Sequence, residues 1–162
     1  MAKPPSKSPD VSVVVPVFDE AGAAPALARE IAAAFKGRNF EILFVDDASR
    51  DGTRAALTAL SSEIPQLRVL AHRKNSGQSR AIRSGVLAAR APIVLTLDGD
   101  GQNDPADGPT LVDALTAGPP ELALVGGERV KRQDSFAKRV ASRVGNGTRK
   151  RLLKDSANDT GC

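Results

Sequence analysis

Five short runs rich in Val, Ile and Leu constrain the fold of this chain more than any other feature of its sequence. Each run is almost continuously apolar rather than alternating, which is typical of parallel strands that are covered on both faces. The runs predict strands at 11–17, 40–45, 67–71, 92–97 and 121–126.

Stretches with a helical pattern lie between the predicted strands, at about 24–36, 51–62, 76–90 and 105–117. Asp51 and Asp104 suit the N-cap positions of two of these helices, and Gly37 and Gly118 suit the ends of two. Because strand and helix alternate, the simplest fold is a doubly wound α/β sheet, mostly parallel, with helices on both faces.

Composition limits the class of protein. The 162 residues, 41% of them apolar, suit one globular domain, which we place at 11–162 after a disordered tail at 1–10. The absence of Trp and Tyr disfavours nucleic-acid binding by base stacking. A single Cys and a single His exclude an internal disulfide and a multi-His metal site. No apolar run reaches the ~20 residues of a membrane span, and the first ten residues lack the apolar region of a signal peptide, so we expect a cytoplasmic protein.

The charge is unevenly distributed. Residues 129–154 contain ten Lys or Arg and one acid, while the whole chain carries only +4, so the remainder is acidic. One interpretation of this basic segment is a solvated surface. Another is an amphipathic helix that meets anionic lipid, with Phe136, Val140 and Val144 on its apolar side. Nucleic acid is a third, less favoured because the rest of the chain is acidic.

Acidic residues follow three of the predicted strands. They are Asp19 and Glu20, Asp46 and Asp47, and Asp98 and Asp100. In an open parallel sheet the carboxyl ends of the strands form the ligand-binding edge, although solvated turns would also place acids there. Carboxylates gathered at one edge repel one another unless cations or hydrogen-bond donors compensate them.

The pair Asp98 and Asp100 indicates a divalent metal. Alternate residues leaving a strand point the same way, so both carboxylates can reach one hard cation such as Mg²⁺ or Mn²⁺. Gln102 could add an oxygen ligand, and Gly99 and Gly101 leave space for a bulky ligand. Such ions usually share their ligand shell with substrate phosphates.

Other motifs with similar residues fit less well. An EF-hand loop beginning at Asp98 would need Gly sixth and Glu twelfth, where this chain has Asn103 and Pro109. Neither GxxxxGK[ST] nor a GxGxxG after the first strand is present. The Asp-x-Asp of aspartyl-phosphate phosphatases normally follows the first strand.

Ordered sequence blocks carry a family resemblance. VSVVVPVFDE, EILFVDDASRDGT and NSGQSRAIRSGVLAARAPIVLTLDGDGQNDP resemble the GT-A fold of family 2 glycosyltransferases, across about residues 11–162. The most similar branch contains the dolichol-phosphate mannosyltransferases and undecaprenyl-phosphate glycosyltransferases. The resemblance implies a GDP- or UDP-linked sugar donor, Mg²⁺ or Mn²⁺, and a polyprenyl phosphate acceptor. The chain ends without a closing element, so we expect the domain to be truncated.

Site residues follow from the resemblance. Asp98, Asp100 and Gln102 would hold the metal, and Asp98, Asp100 and Asp159 would be catalytic. Phe18 and Gly99 depart from the usual Tyr and Ala. The residues implied to bind the nucleotide-sugar are Pro16, Phe18, Glu20, Val45, Asp47, Asp98, Gly99, Asp100, Gln102 and Arg129.

The resulting hypothesis is a metal-dependent inverting glycosyltransferase, peripheral on the cytoplasmic face of the membrane. A phosphate acceptor is already ionised, so no general base is needed, and we expect His72 to be a loop or surface residue. Alternatives are transfer to a glycan or glycolipid hydroxyl, with Asp159 as base, and a fragment that only binds nucleotide-sugar. In the segment 75–85, Asn75 and Ser76 are candidate caps, and Gly85 is expected to allow close helix packing.

Overall fold

The computed structural model describes residues 8–127. The chain divides at Val125 into two units, and the account below concerns the first of them. Its elements are β1 Val11–Val17, α1 Ala24–Ala34, β2 Phe40–Asp46, α2 Thr53–Leu60, β3 Leu67–Ala71, α3 Gln78–Ala88, β4 Ile93–Thr96, a 3₁₀ turn at Pro105–Asp107, and α4 Gly108–Ala117.

The four strands form one parallel sheet in the order β3-β2-β1-β4. Val11 is level with Phe40 on one side and with Ile93 on the other, so β1 lies at the centre with its neighbours in register. Asn39 hydrogen-bonds Ser8 and Asp10 just before β1 begins. The hydrogen-bonded domain therefore starts before the predicted boundary at residue 11, and residues 1–7 of the predicted tail lie outside the described part.

Helices cover both faces of the sheet, as predicted. On one face, alternate residues of β1 pack with α1, α2 and α4 through a large apolar cluster that includes Ile31, Phe35, Leu57 and Val112. On the other face, α3 packs through a smaller cluster around Val14, Leu43, Val45 and Ala81. Because both faces are covered, β1 and β2 are buried along their whole length, which explains their uninterrupted apolar sequences.

Gly85 allows α3 to pack closely against the sheet, as the sequence suggested. A Cβ at this position would lie 2.3 Å from Val14 Cγ1, a distance too short for any side chain, and 3.1 Å from Val45 Cγ2. The helix axis can therefore approach the strands only because residue 85 has no side chain.

The ends of the helices differ from some predictions. The N-cap of α3 is Gly77, at φ +88°, rather than Asn75 or Ser76, and no side chain within the turn caps the helix. The N-cap of α2 is Gly52, although Asp51 still accepts a hydrogen bond from Thr53 N. Asp104 does cap the 3₁₀ turn, by accepting from Ala106 N.

The fifth predicted strand, 121–126, is wrong for the described residues. Leu122 N bonds Pro119 O in a turn that contains Pro119 and Pro120, and the Leu124 side chain is 82% exposed. A strand needs a neighbouring strand to pair with, and no strand within residues 8–127 pairs with this segment. Its apolar composition alone therefore did not make it a strand.

A buried polar network closes the amino edge of the sheet beneath α3. Glu41 accepts hydrogen bonds from Ser12 Oγ, Arg68 Nη1 and Arg90 N. Burial works against the charged carboxylate, but the bonds from Ser12 and Arg68 outweigh it and lower the pKa of Glu41 below its ordinary value. None of the helices within residues 8–127 is long and apolar enough to cross a bilayer.

Candidate functional site

The loops that follow β1 and β2 are joined by hydrogen bonds at the carboxyl edge of the sheet. Asp19, at φ +55°, accepts from Arg50 N, and its own N–H donates to Ser49 Oγ. One turn further on, Glu20 N donates to Thr53 Oγ1 and Ala21 N donates to Asp51. These contacts hold the two strand ends as one surface.

Asp47 ties the end of β2 to the beginning of α3. Its Oδ1 accepts from His72 Nδ1 at 2.6 Å and from Ser76 N, and its Oδ2 accepts from Ser76 N and Gly77 N at 2.9 and 2.7 Å. Burial favours the neutral acid, but the hydrogen bonds from His72 and these two amides prevail and lower the pKa of Asp47. An ionised carboxylate just beyond β2 thus fixes the N-cap residue of α3 and the residue before it.

At this edge, His72 has a more buried side chain than its position in a loop suggested. It lies in the loop after β3, as predicted, but its side chain is only 15% exposed and both ring nitrogens are bonded. Because ionised Asp47 can only accept, Nδ1 carries a proton, and in the neutral ring Nε2 then accepts from Ser84 Oγ. His72 is thus a loop residue, as expected, but it is partly buried and bridges Asp47 to Ser84 rather than standing free on the surface.

The order Ser84, His72, Asp47 has the connectivity of a nucleophilic triad, but its surroundings do not suit that chemistry. Ser84 lies in the middle of α3, where the backbone N–H groups are bonded within the helix and cannot form an oxyanion hole. Asp47 also has two backbone amides to satisfy. The network instead holds α3 in place.

Asp98 lies just beyond β4 and is held by side chains only. Its Oδ1 accepts from Gln78 Nε2 at 2.8 Å, and its Oδ2 accepts from Asn103 Nδ2 at 3.2 Å. Each oxygen of Asp98 thus has one of these bonds, whereas each oxygen of Asp47 has two. Since a carboxylate offers about four acceptor positions, Asp98 keeps capacity for a cation that Asp47 does not have.

Asp100 and Gly99 form the turn that follows. Asp100 is exposed, and only its Oδ1 is engaged, by Gln102 N at 3.0 Å. A Cβ on Gly99 would lie 2.4 Å from Pro16 O and 2.6 Å from Val17 Cγ1. We expected Gly99 to leave room for a ligand, but the end of β1 fills that space. Gly101, at φ +73°, has open space around it.

The donor set of this turn fits a hard divalent cation. Asp98 and Asp100 offer carboxylate oxygens with spare capacity, and the exposed Gln102 side chain offers an amide oxygen. Within residues 8–127, no cluster of three or more acidic, His or Cys side chains is arranged to hold a metal. Two carboxylates without a third suit an ion that completes its shell with phosphate and water.

The remaining predicted site residues have different environments. Pro16 and Val45 are buried in the sheet, so only their backbone could meet a ligand. Phe18 is 39% exposed and Glu20 is partly exposed, both just beyond β1. Arg129, Asp159 and the basic segment 129–154 lie outside the described residues, as does the interfacial helix predicted there.

No local sequence pattern predicted the roles of Gln78, Ser84 or Asn103. Gln78 is the first residue of α3, and its partner Asp98 is twenty positions later, so no local pattern connects them. The one available signal was the position of Gln78 at a helix start near the acidic edge. A side chain there is aimed at the carboxyl ends of the neighbouring strands.

An open parallel sheet with helices on both faces belongs to the doubly wound class of α/β domains, in which ligands bind at the carboxyl ends of the strands. Comparison with known proteins identifies the family within that class. The chain matches the family described as glycosyl transferase family 2 over residues 12–161, and it belongs to that family.

Two similar curated proteins are named undecaprenyl-phosphate 4-deoxy-4-formamido-L-arabinose transferase. The protein from Aeromonas hydrophila is 36% identical over 155 residues, 94% of this chain and 47% of that protein. The protein from Pectobacterium atrosepticum is 37% identical over 157 residues, with shares of 94% and 47%. The chain thus spans about half the length of these relatives.

Similar solved structures confirm the predicted GT-A class of fold. A mannosyltransferase from Pyrobaculum calidifontis, in complex with GDP-Man and Mn²⁺, has a TM-score of 0.59 and 27% identity over 71% of this chain and 34% of that one. A glucosyl-3-phosphoglycerate synthase from Mycobacterium tuberculosis has a TM-score of 0.58 and 24% identity over 68% and 40%. At that identity the second likeness supports the fold alone.

Proposed function

We propose that this chain provides the catalytic domain of a metal-dependent inverting glycosyltransferase, which moves a sugar from a nucleotide-sugar to a polyprenyl phosphate. One observation carries the proposal: Asp98, in the turn after β4 of a family 2 chain, has acceptor capacity left on both oxygens. The names of the relatives support undecaprenyl phosphate as the acceptor. The ligands of the similar mannosyltransferase support a nucleotide-linked donor.

Asp98, Asp100 and Gln102 would hold Mg²⁺ or Mn²⁺ against the donor diphosphate. When bound, the ion would supply positive charge that offsets the negative charge developing on the leaving diphosphate. Arg129 would bring a second cation to the same phosphates. The surface joined by Asp19 and Asp51, with Phe18 and Glu20 exposed on it, would receive the nucleoside.

If the molecule that accepts the sugar is a phosphate, the domain needs no general base. The second pKa of a phosphate monoester is about 6, so the nucleophilic oxygen is ionised near neutral pH. The site then has to position the acceptor rather than deprotonate it. Both nitrogens of His72, the single histidine of the chain, are already hydrogen-bonded, which agrees with this requirement.

The acceptor would be presented at the cytoplasmic face of a membrane. In our proposal the basic segment 129–154 contacts anionic headgroups, and the apolar residues Phe136, Val140 and Val144 enter the interface. This contact would hold the chain at the surface that carries the lipid-borne phosphate.

Isothermal titration calorimetry tests the donor and metal parts together. GDP- and UDP-linked sugars are titrated into the wild-type chain with and without Mn²⁺, and into Asp100→Asn. We expect Mn²⁺-dependent binding that Asp100→Asn abolishes without changing the circular dichroism spectrum. Asp107→Asn, an exposed acid of the neighbouring 3₁₀ turn, serves as the matched control. Undiminished Mn²⁺-dependent binding by Asp100→Asn would contradict the assignment.

A further inference from the structure

A series of hydrogen bonds crosses the carboxyl edge of the sheet from β2 to β4 through the first turn of α3. Asp47 holds Ser76 N and Gly77 N, and the next residue, Gln78, donates from Nε2 to Asp98 Oδ1 at 2.8 Å. Because β1 lies between β2 and β4, the series links two strand ends that are not neighbours.

The backbone of Gln78 is fixed from two directions. On one side, Asp47 anchors the residues immediately before it, and Asp47 is itself bonded to His72, whose second nitrogen bonds Ser84 in the body of α3. On the other side, Gly85 sets α3 directly on the sheet. The Gln78 side chain is exposed, yet it ends on a partly buried carboxylate.

We infer that Gln78 is a positioning residue for Asp98, and that Asp47 and His72 set the position of Gln78. The inference rests on the proposed function insofar as Asp98 is a metal ligand. Hydrogen bonds to a ligating carboxylate orient it, and their loss typically weakens metal binding about 10–100-fold. The Gln78 bond leaves the remaining acceptor positions of Asp98 open to a cation. The end of β2 is thereby linked to the turn after β4.

The first test needs no metal. The Gln78 side-chain amide is assigned by NMR in the wild-type chain, in Asp98→Ala and in His72→Ala. In the wild type we expect one Nε2 proton of Gln78 to resonate downfield. Its resonance should move in both variants, because the Asp98 substitution removes the acceptor and His72→Ala loosens the turn that carries Gln78. Ser79→Ala, the adjacent exposed residue of α3, should leave it in place. An unchanged resonance in His72→Ala would overturn the role given to Asp47 and His72.

The second test measures Mn²⁺ affinity by electron paramagnetic resonance, with saturating UDP and separately with GDP. We expect Gln78→Ala to weaken Mn²⁺ binding at least about tenfold, with thermal stability unchanged and Ser79→Ala equal to wild type. His72→Ala should weaken it as well, and His72→Asn should restore it, because an Asn amide can donate to Asp47 where Nδ1 did.

A double-mutant cycle separates positioning from a general loss of structure. If His72 acts through Gln78, then His72→Ala should have no further effect on Mn²⁺ affinity once Gln78 is Ala. Full additivity, or wild-type affinity in Gln78→Ala, would overturn the inference while leaving the proposed function intact. Failure of the wild-type chain to bind Mn²⁺ with either nucleotide would overturn both.

Discussion

Replacing Asp47 with Asn tests whether this carboxylate is a structural element of the edge. Its side chain is 4% exposed and accepts hydrogen bonds from three donors, one on His72 and two on the backbone at the start of α3. An Asn keeps a single acceptor oxygen and places an N–H₂ group against a donor. Bonds to a charged acceptor contribute about 1.5–3 kcal/mol each, so we expect Asp47→Asn to lower the free energy of unfolding by about 2–4 kcal/mol.

The pH dependence gives this prediction a sign. The pKa of Asp47 is lowered in the folded protein, so its contribution to stability is fully present above the ordinary Asp value of about 3.9. As the pH falls, the unfolded chain takes up the proton first. The difference between wild type and Asp47→Asn should therefore shrink as the pH falls below about pH 4.

Urea unfolding followed by far-ultraviolet circular dichroism measures both effects, since the chain has no Trp or Tyr for fluorescence. Asp46→Asn is the matched control. Asp46 is also buried, at 2% exposure, but its carboxylate accepts only from Ser49 N, which an Asn oxygen can replace. We expect that control to cost less than about 1 kcal/mol. Equal losses in the two variants, or a difference that does not change with pH, would refute the reasoning.

Three further predictions concern other parts of the chain. Gly85→Ala should destabilise the fold by about 1–3 kcal/mol, because its Cβ would lie 2.3 Å from Val14 Cγ1, whereas Gly22→Ala, with open space around it, should be nearly neutral in the same urea assay. Glu41→Gln should cost about 1.5–3 kcal/mol at pH 7 and progressively less as the pH falls through the lowered pKa of Glu41, measured by unfolding at each pH. The chain should co-sediment with anionic but not neutral vesicles, less so at high salt, and equal binding to both lipids would contradict the interfacial interpretation. Charge reversal in the basic segment should weaken that binding at Lys138, Arg139 and Arg143.

Periodicity and composition predicted most of the fold. Four strands and four helices have the predicted order, and β1 and β3 have the predicted bounds. These successes have one physical cause, because burial on both faces requires the uninterrupted apolar runs that the sequence contains. The run 121–126 has the same composition but no strand to pair with in the described residues, and composition does not report on pairing partners.

The site was harder to predict because its contacts join residues far apart in the chain. Asp47 bonds Ser76 N and Gly77 N, about thirty positions away, and these contacts follow from the packing of α3 rather than from any local motif. His72 lies in a loop, as predicted, but its position after a short strand gave no sign that its ring would be partly buried. Its burial depends on α3 lying directly above it, which in turn depends on Gly85.

The carboxylates at this edge differ in what holds them. Four carboxylates accept hydrogen bonds from backbone N–H groups of the loops, and these bonds hold the loops together. They are Asp19, Asp46, Asp47 and Asp51. Asp100 also accepts from a backbone N–H, but through one oxygen only. Asp98 is the exception, because its two bonds come from side-chain amides. Backbone donors therefore compensate four of these carboxylates, and in our proposal the turn after β4 holds the cation. The clustering of acids at strand ends predicted a ligand site, and the pattern of donors is our reason for proposing Asp98 as the acid that meets the ligand.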